Sequence, residues 1–69
     1  MRCYFHLVNE IEQITDHHGV EVSTIEAAYA QAMSAIVELR EEVEKPADLV
    51  GWRLTGVDQA GAVLLSITL

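Results

Sequence analysis

Apolar residues follow two rhythms in this chain: alternation near both ends, and a three- and four-residue step through the middle. Arg2 to Val8 (RCYFHLV) is rich in aromatic and β-branched residues and predicts a strand. Alternation gives it a core face of Cys3, Phe5 and Leu7 and an outer face of Tyr4, His6 and Val8. Asn9-Glu10 predicts a tight turn, Ile11 to Thr15 a second strand, and Val20 to Val22 a short one. Between those two runs, Asp16-His17-His18-Gly19 places Asp first and Gly fourth. That order suits a type I turn closed by a left-handed residue.

Ser23-Thr24-Ile25-Glu26 reads as a capping box, with the Ser23 oxygen accepting a helix N–H and Glu26 reaching back. A helix is expected from there to about Glu44, stopped by Pro46, because the residue before a proline is pushed out of helical geometry. Ile25, Ala28, Tyr29, Ala32, Ile36, Leu39 and Val43 fall on one stripe and make the predicted buried face. At 1.5 Å per residue such a helix is roughly 30 Å long, against about 23 Å for a seven-residue strand. Its last turns are therefore expected to overhang the sheet. Ala47 to Gly51 is a connector with Leu49 and Val50 tucked inward. Trp52 to Val57 and Ala62 to Leu69 predict a closing hairpin around Asp58-Gln59-Ala60-Gly61, a second D-x-x-G turn. Trp52, Leu54, Val63, Leu65, Ile67 and Leu69 should face the helix. The expected fold is a single α+β domain over residues 1–69: an antiparallel sheet of about four strands, in two β-hairpins, with one long amphipathic helix on one face.

Length then limits what this fold can rest on. Sixty-nine residues bury a thin core that nets roughly 3–5 kcal/mol unless something braces it. Cys3 is the one cysteine, so no disulfide can form within the chain, and a lone thiol fits a reducing, cytoplasmic setting. Met1 to Val8 is too short an apolar run for a secretory signal. No stretch reaches the ~18 apolar residues of a membrane span. A metal or a partner chain remains as a brace.

Charge removes further classes of partner. The formal net charge is −7, and the four basic residues, Arg2, Arg40, Lys45 and Arg53, are scattered. Phosphate backbones and anionic membrane surfaces demand clustered Lys and Arg, so neither nucleic acid nor membrane is an expected partner. A basic protein would suit the surface.

Several residues together resemble a known family. Tyr4-Phe5-His6, the turn Asp16-His17-His18-Gly19-Val20-Glu21, the helix alanines Ala27, Ala28 and Ala32, and Gly51-Trp52 with Asp58-Gln59-Ala60-Gly61 look like domain-of-unknown-function family 6894. The likeness covers nearly the whole chain. It implies a ββ-α-ββ layout and carries no catalytic or binding residue across. The strand pair followed by Ser23-Thr24-Ile25-Glu26-Ala27-Ala28 is also similar to HicB-type antitoxin N-terminal domains. That resemblance implies inhibition of a basic RNase toxin. The second half has no helix-turn-helix or basic arm after the final strand, so operator binding is not expected.

Candidate chemistry is sparse. Asp16, His17 and His18, with His6, form the one cluster of metal-ligand types, though their spacing matches no metal signature. The plainer reading gives Asp16 and Gly19 to the turn and the two histidines to solvent. Cys3 and His6 are three apart on a strand and point to opposite faces, which opposes a nucleophile–base dyad. The carboxylates lie on turns or the outer helix face, and no catalytic triad or phosphate loop is present, so neither an enzyme nor a cofactor is expected. Ala30, Met33 and Val37 lie roughly 80–140° from the centre of the core stripe. With a thin core, they point to a helix-mediated contact and a homodimer, with the outer sheet patch Tyr4, His6, Val8 and Leu64 as the other possible surface.

Overall fold

The computed structural model describes residues 1–69, the side chain of Pro46 excepted. Five strands and one α-helix follow in the order β1 (Arg2–Val8), β2 (Gln13–Ile14), β3 (Val20–Glu21), α1 (Ile25–Glu42), β4 (Arg53–Val57) and β5 (Val63–Thr68), with a short 3₁₀ turn at Pro46–Leu49 before β4. The sheet is antiparallel, in the order β2-β1-β4-β5, and β3 also pairs with β1. The α+β architecture expected from the two rhythms is therefore the one present.

The first half departs from a simple hairpin. β1 pairs with β2 at Leu7↔Ile14 and Val8↔Gln13, and with β3 at Arg2↔Glu21 and Cys3↔Val20. Both lie on the edge of β1 away from β4, so one broken strand serves where two were expected. The second strand is also shorter than Ile11 to Thr15. The Asn9 side chain accepts the N–H groups of Ile11 and Glu12 at 2.8 and 2.7 Å. Those bonds hold the turn open to Glu12 and leave Ile11 93% exposed.

The helix starts one residue later than the expected cap. Thr24, not Ser23, is the N-cap, its backbone extended and its hydroxyl accepting the Ala27 N–H at 3.0 Å. The Ala27 methyl has no polar atom to reach back, so this is a plain cap and not a box. The helix ends at Glu42, before the predicted Glu44; the next residue, Val43, is already extended. Val50 is 77% exposed rather than tucked in, because the 3₁₀ turn buries the Leu49 side instead.

Small residues set the packing. Cys3, Val22 and Ala28 form one buried cluster, and Ala32, Ile36 and Leu54 the other, with Phe5 and Leu65 touching both. The helix comes nearest to β4, where Gly56 lies beneath it; a Cβ there would stand 2.9 Å from the Leu65 Cγ and 3.3 Å from the Cys3 Sγ. Ile25 and Tyr29, predicted in the core, are 51% and 50% exposed. The N-terminal turns instead lean on Ala27 and Ala28, which pack with Val20 and Val22 and roll the larger side chains out.

A second correction falls on β5. A register shift opposite Gly56 and Val57 pairs Gly56 with Leu65 but Val57 with Val63, so Leu64 is an extra residue, a β-bulge. Simple alternation predicted Val63 in and Leu64 out. The bulge reverses both: Val63 is 65% exposed, and Leu64 packs on the Cys3 cluster.

Candidate functional site

The histidine turn is held by its aspartate. The Asp16 carboxylate accepts the N–H groups of His18 (2.9 Å), Gly19 (3.1 Å) and Phe5 (3.2 Å). The Asp16 N–H in turn donates to the His6 Nδ1 at 3.1 Å, which fixes that ring with its proton on Nε2. Burial alone would raise the Asp16 pKa, but the three N–H bonds and the His18 charge outweigh it and hold the carboxyl below its ordinary value. Arg2 donates from Nε to the His18 carbonyl at 2.8 Å, pinning the far side of the loop. Gly19 takes the left-handed conformation the pattern predicted, φ +71°.

These contacts occupy the groups that metal binding would need. Asp16 spends its oxygens on backbone donors, while His17 and His18 are exposed. Among the described residues no group of three or more His, Cys, Asp and Glu side chains is placed to hold a metal ion. Cys3 is fully buried, and burial, followed by the charges of Asp16 and Asp58, pushes its thiol pKa up. A protonated thiol beneath the helix is a poor nucleophile, and the His6 Nδ1 is already engaged with Asp16.

Two small clefts open under the helix end. One of about 180 Å³ is lined by Leu7, Ala35, Leu39 and Leu54 with Glu38 and Glu42 at its rim; the other, about 120 Å³, lies among Leu7, Ile14, Leu49, Trp52 and Leu69. Both fall below the roughly 300–1,000 Å³ typical of small-molecule sites. No described helix is long and apolar enough to cross a membrane.

Two further depressions of about 360 Å³ each lie at Met33, Ser34, Val37 and Glu38 on the helix and at Asn9, Glu10, Gly51, Arg53 and Thr68; the first belongs to an apolar surface. Ile25, Tyr29, Met33 and Val37 are 51%, 50%, 39% and 51% exposed, and they follow one another at four-residue steps. Side chains so spaced form one ridge along a helix. Met33 and Val37 were expected on this flank with Ala30, which is also exposed. Ile25 and Tyr29 were missed as members, although their spacing to Met33 and Val37 was the available signal. They were assigned inward because their three- and four-residue steps from Ala28 and Ala32 put them on the expected core stripe. The alternative outer-sheet patch loses Leu64 to the bulge.

What fold and surface define together is a small α+β domain of ββ-α-ββ layout whose second strand is broken around an aspartate-held loop. The family model described as Domain of unknown function (DUF6894) matches residues 2–69, and the chain belongs to that family. No curated protein and no solved structure matches it.

Proposed function

We propose that the protein is a non-catalytic interaction module of the cytoplasm that works as a homo-oligomer, most simply a dimer. The helix ridge Ile25-Tyr29-Met33-Val37 supports this reading: four large apolar side chains stand in line with none of them more than about two-thirds covered. Single exposed apolar residues are ordinary on a protein surface, whereas an aligned set favours a protein contact. The thin core supports it too, since a second copy can supply the burial that so short a chain lacks.

Light scattering from micromolar to millimolar concentration tests the proposal. The expected mass is twice the 7.6 kDa of the chain, and Met33→Asp with Val37→Asp is expected to return the protein to monomer with unchanged circular dichroism. A wild-type mass that stays at the monomer value over the whole range would end it.

A further inference from the structure

The two edges of the sheet are unlike, and the open one lies beside the helix ridge. On β5, Leu69 donates its N–H to the Trp52 carbonyl at 3.0 Å. Backbone direction alternates along a strand, so Leu65 and Ile67 also bond inward to β4, and Ser66 and Thr68 turn their N–H and C=O groups outward. β5 pairs with β4 alone. An open edge of this kind is commonly blunted by charge, proline or a bulge; residues 59–69 contain no charge or proline, and the bulge at Leu64 interrupts only the start of β5.

The ridge leans to the same side. Taking Ala32 as the line facing the sheet, at 100° per residue Ala35 and Leu39 stand about 60° and 20° to one side. They share a cleft with Leu7 of β1. Tyr29 and Met33 stand about 60° and 100° to the other side, over β5. Leu65 and Ile67 of β5 are partly buried against the core clusters. Edge, sheet flank and ridge thus lie on one side of the molecule, uncharged along β5 and flanked on the helix by Glu26 and Arg40, in a chain of net charge −7.

We propose that this side takes a second copy of the same chain, with β5 pairing antiparallel to its counterpart about a two-fold axis near Ser66. The proposal rests on the homo-oligomer reading and names its interface. An antiparallel pair of identical edges is self-complementary, each outward donor meeting an outward acceptor of the same strand. The strand part of the contact also brings two strongly acidic chains together where residues 59–69 carry no charged side chain. Three strand spacings separate one β4 from the other, which sets the helices about 14 Å apart. That is wider than the 8–10 Å of direct helix packing. Long side chains are needed to fill it, and Tyr29 and Met33 are the long members of the ridge. A standard interface covers about 800 Å² per partner; a six-residue edge is too small for that alone, so strand and ridge must act together.

Amide hydrogen exchange across a concentration series, read beside light scattering, tests this. In the dimer the Ser66 and Thr68 amides are expected to be protected, and dilution to monomer should speed their exchange by about tenfold or more while Leu65 and Ile67 stay protected. Ser66→Pro removes an outward N–H without touching a bond to β4, and is expected to give a folded monomer. If that variant unfolds, wild-type exchange decides on its own. A dimer whose Ser66 and Thr68 amides exchange as freely as in the monomer overturns the β5 interface and leaves the homo-oligomer standing. A wild-type monomer at every concentration removes both.

Discussion

The sheet ends on one side in two short strands with an aspartate bridging the gap between them and on the other in one continuous strand, and the contrast shows how a short chain divides its polar groups. At the β2/β3 edge the chain leaves β1 for five residues, Thr15 to Gly19. The donor this would orphan, the Phe5 N–H, is met by the Asp16 carboxylate at 3.2 Å. A buried N–H without a partner costs about 1–3 kcal/mol, so the side chain substitutes for the missing strand. At β5 no side chain plays that part. The closed edge is therefore expected to be sensitive to single substitutions through stability, and the open edge through association.

The largest effect is expected at Gly19. A Cβ there would lie 2.9 Å from the Tyr4 ring and 3.1 Å from the Cys3 carbonyl, on a residue with φ +71°. Left-handed backbone costs about 1–2 kcal/mol for an L-residue, and overpacking adds about as much again. Gly19→Ala should lower unfolding free energy by about 3 kcal/mol in urea titration; a loss near zero would mean the loop is not anchored as described.

Asp16→Ala comes next, at about 2 kcal/mol, because three N–H groups lose a charged acceptor, one of them at an exposed position and two part-buried. The same carboxylate gives a pH signature. Its folded pKa lies below the ordinary 3.8, so its contribution is complete above that value and disappears as pH falls through the folded one. Urea midpoints of the wild type should fall below about pH 4, and the Asp16→Asn variant should lack that part of the fall. Equal acid sensitivity in both would place the stabilisation elsewhere.

The smallest effects separate two neighbours on the open edge. Leu64→Ala should cost about 1 kcal/mol, as a half-buried side chain. Val63→Ala should stay within about 0.5 kcal/mol, as a surface one. Thermal melts at a concentration where the protein is monomeric would measure both. A reversed order would remove the bulge.

Strand β1 was legible to the residue, since its aromatic and β-branched run leaves no competing pattern. Both D-x-x-G turns were legible for a chemical reason: a short carboxylate followed by a left-handed glycine closes locally. Asp58 accepts the Ala60 and Ala62 N–H groups at 2.9 Å each, and Gly61 has φ +86°, without help from distant residues. Helix α1 was legible in existence and less so at its ends, where Ser23 and Thr24 are equally able caps and only the entry direction of the chain chooses between them.

What the sequence determined by itself is what nearest neighbours decide: strand, turn and helix. Three-dimensional packing decided which face of the helix is sealed, which of Val63 and Leu64 points inward, and that Asp16 completes a strand eleven residues away. The reason is that a helix rolls to bring its smallest side chains against a glycine-thinned sheet, and a bulge breaks the alternation where it falls, turning Val63 out and Leu64 in. Neither is visible to a pattern that knows only spacing.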